Sequence, residues 1–178
     1  MSRKRAIFDP KEQAALLGVC EGDREYIPIW LMMRCGMHPS DVSKASKKLK
    51  VKGRYIEWER AKNAEDRHEI VPDDIMDRLK KWLKKGRKLT REGYWHLVGR
   101  VGARVGHPEY SPLTLRHTFG TEMLKFYMQK EKPPPDVFDL VARKMGCTEA
   151  VVKNNYVDLQ DWERASDPER LHEDNEDE

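Results

Sequence analysis

The segment SPLTLRHTFGTEML, residues 111–124, sets Arg116 and His117 side by side among apolar residues that mostly recur at helical spacing: Leu113, Phe119, Met123 and Leu124. A guanidinium keeps its charge, so a partly buried arginine needs acceptors. Two kinds fit: a carboxylate of the chain itself, such as Asp41 or Glu122, or the anionic group of a ligand. Other groups capable of acid–base or nucleophilic work lie far along the chain. His38 stands shortly after a glycine and before a proline, the place of a turn residue. Lys62 falls between two β-favouring runs, where a solvated turn lysine also sits. Tyr156 follows Val152 by four residues and suits a core aromatic equally well. A dense basic run, Lys44, Lys47, Lys48, Lys50 and Lys52, with Arg34 upstream, is either a solvated face or a surface for a polyanion's backbone. Nothing in it suggests reading of bases. The histidines show no metal-binding spacing, and Cys20, Cys35 and Cys147 form no zinc or disulfide pattern, so no metal site is expected.

Helices and one small sheet must position these groups. Asp9, Pro10 and Glu12 predict a helix start, and REYIPIWLMMRCG predicts a strongly apolar helix ending at Gly36, with Pro28 near its beginning. HPSDVSKAS restarts as a short helix. Between Lys50 and Pro72 the runs GRYIEWER and HEIVP alternate in polarity and predict a β-hairpin or small antiparallel sheet, with Lys62 at or near its turn. PDDIMDRLKKWLKKG has an apolar stripe of Ile75, Leu79, Trp82 and Leu83 opposite lysines. TREGYWHLVGRVGARVG predicts a helix weakened by glycines. Ser111 and Pro112 open the arginine helix, EKPPPD breaks the chain, and DVFDLVARKMG and TEAVVKNNYV, capped by Thr148, predict two further helices. The fold class expected is mainly α with a small antiparallel β-sheet (α+β).

At 178 residues the chain suffices for one well-formed core. Its net charge of +3 conceals an asymmetry: residues 163–178 hold eight acidic groups and two arginines, net −6, leaving 32 basic and 23 acidic groups, net +9, in residues 1–162. A basic body points to a polyanionic partner, and the acidic segment reads as a solvated, flexible tail. No apolar run approaches membrane-spanning length and the start lacks a signal-peptide core. A reducing, cytoplasmic setting with no membrane partner is expected.

LTLRHTFGTEML resembles the signature helix of the tyrosine recombinases (the phage-integrase family), in which an Arg-His pair precedes Thr, an aromatic and small residues. RCGMHPSDV resembles that family's glycine-to-acidic stretch after an apolar helix, and ARKMGCTEAVVKNNYVDL its closing segment: glycine turn, short helix, tyrosine. The resemblance spans about Asp9 to Leu159. It implies a tyrosine-recombinase catalytic-domain-like fold over residues 1–162, followed by the tail. It also implies cleavage and rejoining of double-stranded DNA through a 3′-phosphotyrosyl intermediate, without a cofactor, in a homo-oligomer assembled on DNA. A prokaryotic, viral or mobile-element context goes with it. Under this resemblance Arg116 matches the second phosphate-binding arginine and Lys62 the hairpin general acid. Tyr156, 40 residues after Arg116, matches the nucleophile, and Asp41 an acidic residue supporting the first arginine's helix. Arg34, Lys44, Lys47, Lys48, Lys50 and Lys52 would contact the DNA backbone.

Three positions depart from the pattern. His38 stands where the family has its first arginine, Leu113 where it has a histidine, and Cys147 where a histidine or tryptophan follows the late glycine. Arg34 lies one helical turn before His38. Loss of one guanidinium from a site that stabilises a phosphorane-like transition state costs a factor of about 10²–10³ by analogy with a single oxyanion donor. The family's usual DNA-clamping domain ahead of the catalytic domain is also missing, so the chain reads as a fragment or as a minimal protein holding DNA through one face. The resemblance therefore implies either a minimal, divergent recombinase or a DNA-binding regulator or accessory protein on the same fold.

Overall fold

The computed structural model describes residues 8–58, 67–85 and 88–156. Helix α1 (Pro10–Gly18) starts where its cap dictates: the Asp9 carboxylate accepts from the backbone N–H of Lys11 and Glu12, and Glu12 returns the bond to the Asp9 N–H. Helix α2 (Asp23–Arg34) is apolar around most of its circumference, and Ile27, Ile29, Leu31, Met32 and Met33 are fully buried. It is the central element of the molecule. Pro28 lies inside α2 rather than near its start. Its missing N–H deprives only one carbonyl of the first turn of a partner. The turn after α2 leads to two one-turn pieces, α3 (Pro39–Ser43) and α4 (Ala45–Lys48).

The sheet holds three strands in the order β1 (Leu49–Lys52), β2 (Tyr55–Trp58), β3 (Arg67–Ile70), both pairings antiparallel. The register sets Leu49 opposite Trp58 and Val51 opposite Ile56, so these four share the inner face. Ile56 and Trp58 are almost wholly buried there, while Lys50, Lys52 and Tyr55 are exposed on the outer face. The first strand was not expected. LKVK alternates over only four residues inside a lysine run, and its strand character comes from pairing with β2.

Helices α5 (Asp73–Lys84), α6 (Arg91–Arg104), α7 (Pro112–Met128), α8 (Val137–Met145) and α9 (Glu149–Tyr156) complete the described chain. The expected mainly helical class with a small antiparallel sheet is observed. Buried residues fall into two clusters, one built on α2, α5, α6 and the sheet, the other joining α7, α8 and α9 through Phe119, Leu124, Val141, Met145 and Val152. Leu115 belongs to the first and Phe119 to the second, so α7 is the wall between them. Burying each such side chain contributes about 1.5–3 kcal/mol.

At the N-terminal end of α2, Glu25 is buried and bonds Arg104 at 2.5 Å and Arg100 at 3.1 Å. Burial opposes its charge, but the bonds from Arg104, the Glu21 N–H and Arg100 outweigh it and hold the carboxyl below its usual range. Gly102 of α6 permits close approach to the following loop: a Cβ there would lie 2.4 Å from the His107 carbonyl oxygen.

Candidate functional site

Arg116 sits on the wall formed by α7, between the two clusters. Ser111 caps the helix by accepting from the Thr114 N–H, and Pro112 occupies the first turn, so the arginine is presented one turn further along. One of its Nη groups donates to the Gly36 carbonyl, and the other donates to the Met145 carbonyl at 2.9 Å. The described hydrogen bonds of the guanidinium thus go to backbone oxygens that end two different helices, α2 and α8. Glu122, one of the two carboxylates weighed for this role, bonds elsewhere. The neighbours of Arg116 are buried: His117 is 2 % exposed, and Thr118 accepts from the Phe8 N–H at 3.2 Å, which ties the segment before α1 onto α7.

Gly36 makes this convergence possible in two ways. Its φ of +61° is accessible to glycine at little cost, and a Cβ would lie 2.4 Å from Cδ1 of Phe119. The turn after α2 therefore presses directly on α7 and delivers its carbonyl to Arg116. Two residues later His38 caps α3. Its Nδ1 accepts from the Ser40 N–H at 3.2 Å and lies 2.7 Å from the Ser40 hydroxyl. With Nδ1 as acceptor, the neutral ring carries its hydrogen on Nε2. Asp41, half-buried, follows in the first turn of α3.

Arg116 bonds the Gly36 carbonyl, two residues before His38, whose ring bonds Ser40. Arg34 ends α2 one turn earlier, but its guanidinium pairs with Glu122 at 3.3 Å, and Glu122 also accepts from the buried Gln13 side chain at 2.5 Å. Six residues along α7 from Arg116, that carboxylate lies roughly 9 Å further down the axis and about a third of a turn away. Lys44 and Lys47 are exposed and Lys48 is half-buried around α3 and α4, while Lys50 and Lys52 stand on the outer face of β1. Lys52 pairs with Glu57 at 2.7 Å. Lys62 lies outside the described residues. The backbone of α9 is described through Tyr156, whose side chain lies outside them. Leu113 is 40 % exposed in the first turn of α7, and Cys147 is half-buried in the turn after α8.

Two contributors left no trace in local sequence pattern. The Met145 carbonyl brings the end of α8 to Arg116, and α9 begins four residues later behind the Thr148 cap. Lys144 bonds Glu69 at 3.1 Å and so fastens β3 to the same end of α8. Arg116 thus joins the Gly36 turn to the end of α8, and Lys144 joins that same end to β3. A cavity of about 730 Å³ lined by Arg24, Trp82, Lys88, Tyr94 and Arg100 lies at the opposite end of α2 and takes no part in this. An open, lysine-bearing surface suits an extended polyanion.

No protein-family model matches the chain. Over 40 residues, 22% of this chain and 13% of the relative, it is 42% identical to the tyrosine recombinase XerC of Herpetosiphon aurantiacus. Among solved structures it resembles the XerH site-specific recombinase bound to difH substrate in a pre-cleavage complex. The TM-score there is 0.63 at 18% identity, covering 90% of this chain and 52% of that one. A post-cleavage complex of XerH with palindromic difH substrate gives a TM-score of 0.65 at 17% identity, covering 92% and 53%. The fold is that of a tyrosine recombinase, and the local match to XerC agrees with that relationship. The chain spans about half the length of the XerH chains.

Proposed function

We propose that this chain binds double-stranded DNA and cleaves and rejoins its strands through Tyr156, as a divergent tyrosine recombinase. The observation that supports this reading is the pair of hydrogen bonds from Arg116 to the Gly36 and Met145 carbonyls, which fixes a positive charge between the turn that leads to His38 and the end of α8 that leads to α9. Such a preorganised charge serves the non-bridging oxygens of a phosphodiester as they gain negative charge in the transition state. In the proposed step the Tyr156 oxygen bonds to phosphorus and the phenol proton leaves to solvent. The P–O5′ bond breaks, and the 5′-oxygen takes a proton from the Lys62 ammonium. Rejoining to a new 5′-hydroxyl reverses each transfer. His38 supplies Nε2–H as a neutral donor in place of the family's first arginine, and Lys44, Lys47, Lys48 and Lys50 hold the DNA backbone. Arg34 joins them once Glu122 releases it, as Lys52 does when Glu57 does.

The reading includes assembly of several copies on DNA and a cytoplasmic, prokaryotic or mobile-element setting. Among the described residues no helix is long and apolar enough to cross a membrane. A second reading, a recombinase-fold regulator that binds DNA without cutting it, is favoured by Leu113, an exposed hydrocarbon with no proton to exchange.

Incubation with nicked suicide duplexes, followed by a denaturing gel, separates the two. A covalent adduct that disappears in Tyr156→Phe supports strand cleavage. Salt-sensitive binding to the same duplexes with no adduct favours the regulator.

A further inference from the structure

The chain carries blocks of opposite charge, net +9 over residues 1–162 and net −6 over residues 163–178. The positive block has a defined place to receive the negative one. Lys44, Lys47 and Lys50 are exposed along α3, α4 and β1, and among the described residues none of them makes an ion pair, in contrast to Lys52 with Glu57 and Arg34 with Glu122. The route is short. Arg116 ties the Gly36 turn, from which α3 starts, to the end of α8, from which α9 starts. The 22 residues after Tyr156 reach at most about 75 Å when extended, against a diameter of roughly 40 Å for a folded chain of this length.

We propose that the acidic segment 163–178 pairs with Lys44, Lys47 and Lys50 of its own chain and competes there with DNA, so that binding of a duplex requires displacement of a built-in polyanion. This rests on the DNA-binding reading above and adds regulation to it. A tethered segment acts at an effective concentration of about 1 mM, and a weak electrostatic site has a dissociation constant of about 10⁻⁴ M. Together these predict an affinity for DNA lowered about tenfold at low salt. The effect fades as salt screens the exposed charges.

The test has two parts, both on the full chain. The first is zero-length carbodiimide cross-linking without DNA at low salt, with the products mapped by mass spectrometry. Carboxylates of residues 163–178 are expected to link to Lys44, Lys47 or Lys50 within the monomer band, at a yield independent of protein concentration and lost at high salt. The second compares binding of a random-sequence duplex by the parent and by a variant with the eight acidic residues of 163–178 changed to Asn or Gln. The variant is expected to bind about tenfold more tightly at roughly 50 mM salt and to converge with the parent as salt rises. Absence of those cross-links, or equal affinities at low salt, overturns the inference while leaving DNA binding intact. Failure of both proteins to bind any duplex overturns the DNA reading itself, and competition with it.

Discussion

Replacing Gly36 by alanine tests whether the turn after α2 is what holds the candidate site together. An alanine at φ +61° costs about 1–2 kcal/mol in backbone strain. Its Cβ would lie 2.4 Å from Cδ1 and 2.7 Å from Cε1 of the Phe119 ring. That ring would have to retreat about 1 Å into a cluster closed by α8, and overpacking of this kind costs a further 1–3 kcal/mol, roughly. The sum, about 2–5 kcal/mol, corresponds to a fall in Tm of roughly 5–15 °C for a chain of this size. Urea denaturation of Gly36→Ala measures it. Adding Phe119→Leu removes part of the collision but none of the backbone strain, so the pair should be coupled by about 1 kcal/mol or more in a double-mutant cycle. Because the Gly36 carbonyl is an anchor of Arg116, DNA cleavage should fall by more than the loss of folded protein accounts for. Stability of Gly36→Ala within about 0.5 kcal/mol of the parent, with no coupling to Phe119, would refute the claim that this turn seats the arginine.

Arg116→Lys keeps the charge but cannot span two carbonyls; it is expected to cost about 1–2 kcal/mol in denaturation and to lower adduct formation by about 10²-fold or more in a single-turnover gel assay. Glu122→Gln releases Arg34 from an exposed pair while leaving an acceptor for Gln13, so stability should change by less than about 1 kcal/mol and duplex affinity at low salt should rise about two- to threefold by fluorescence anisotropy. Glu25, held below its usual carboxyl range, stabilises the fold above that range and loses its contribution as pH falls through the depressed folded value. Thermal melts from pH 7 downward should therefore steepen below about pH 4.5 in the parent and flatten over the same interval in Glu25→Gln.

The elements written in local chemistry were legible. The Asp9–Pro10–Glu12 and Ser111–Pro112 starts place α1 and α7 without any tertiary information, because caps are satisfied within four residues. Strand β1 was not, since Lys50 and Lys52 mask the inward pair Leu49 and Val51 until β2 lies alongside. Pro28 was expected near the start of α2, yet it lies further in, where its missing N–H leaves only one first-turn carbonyl without a partner. At the candidate site, the sequence singles out Arg116 as a charge among apolar residues that needs acceptors. The acceptors themselves are not legible, because a backbone carbonyl looks the same at every position in a sequence. Arg34 and Glu122 stand 88 residues apart, and only the packing of α2 on α7 reveals that they are paired.

The most direct measurement is the identity of the residue that carries DNA after cleavage. Digestion of the adduct with nuclease and trypsin should leave a nucleotide remnant, joined through its 3′-phosphate, on Tyr156 in the peptide of residues 154–164, and mass spectrometry reads it. A remnant on any other residue contradicts the account. So does its absence from protein that binds the same suicide duplex in a salt-sensitive manner.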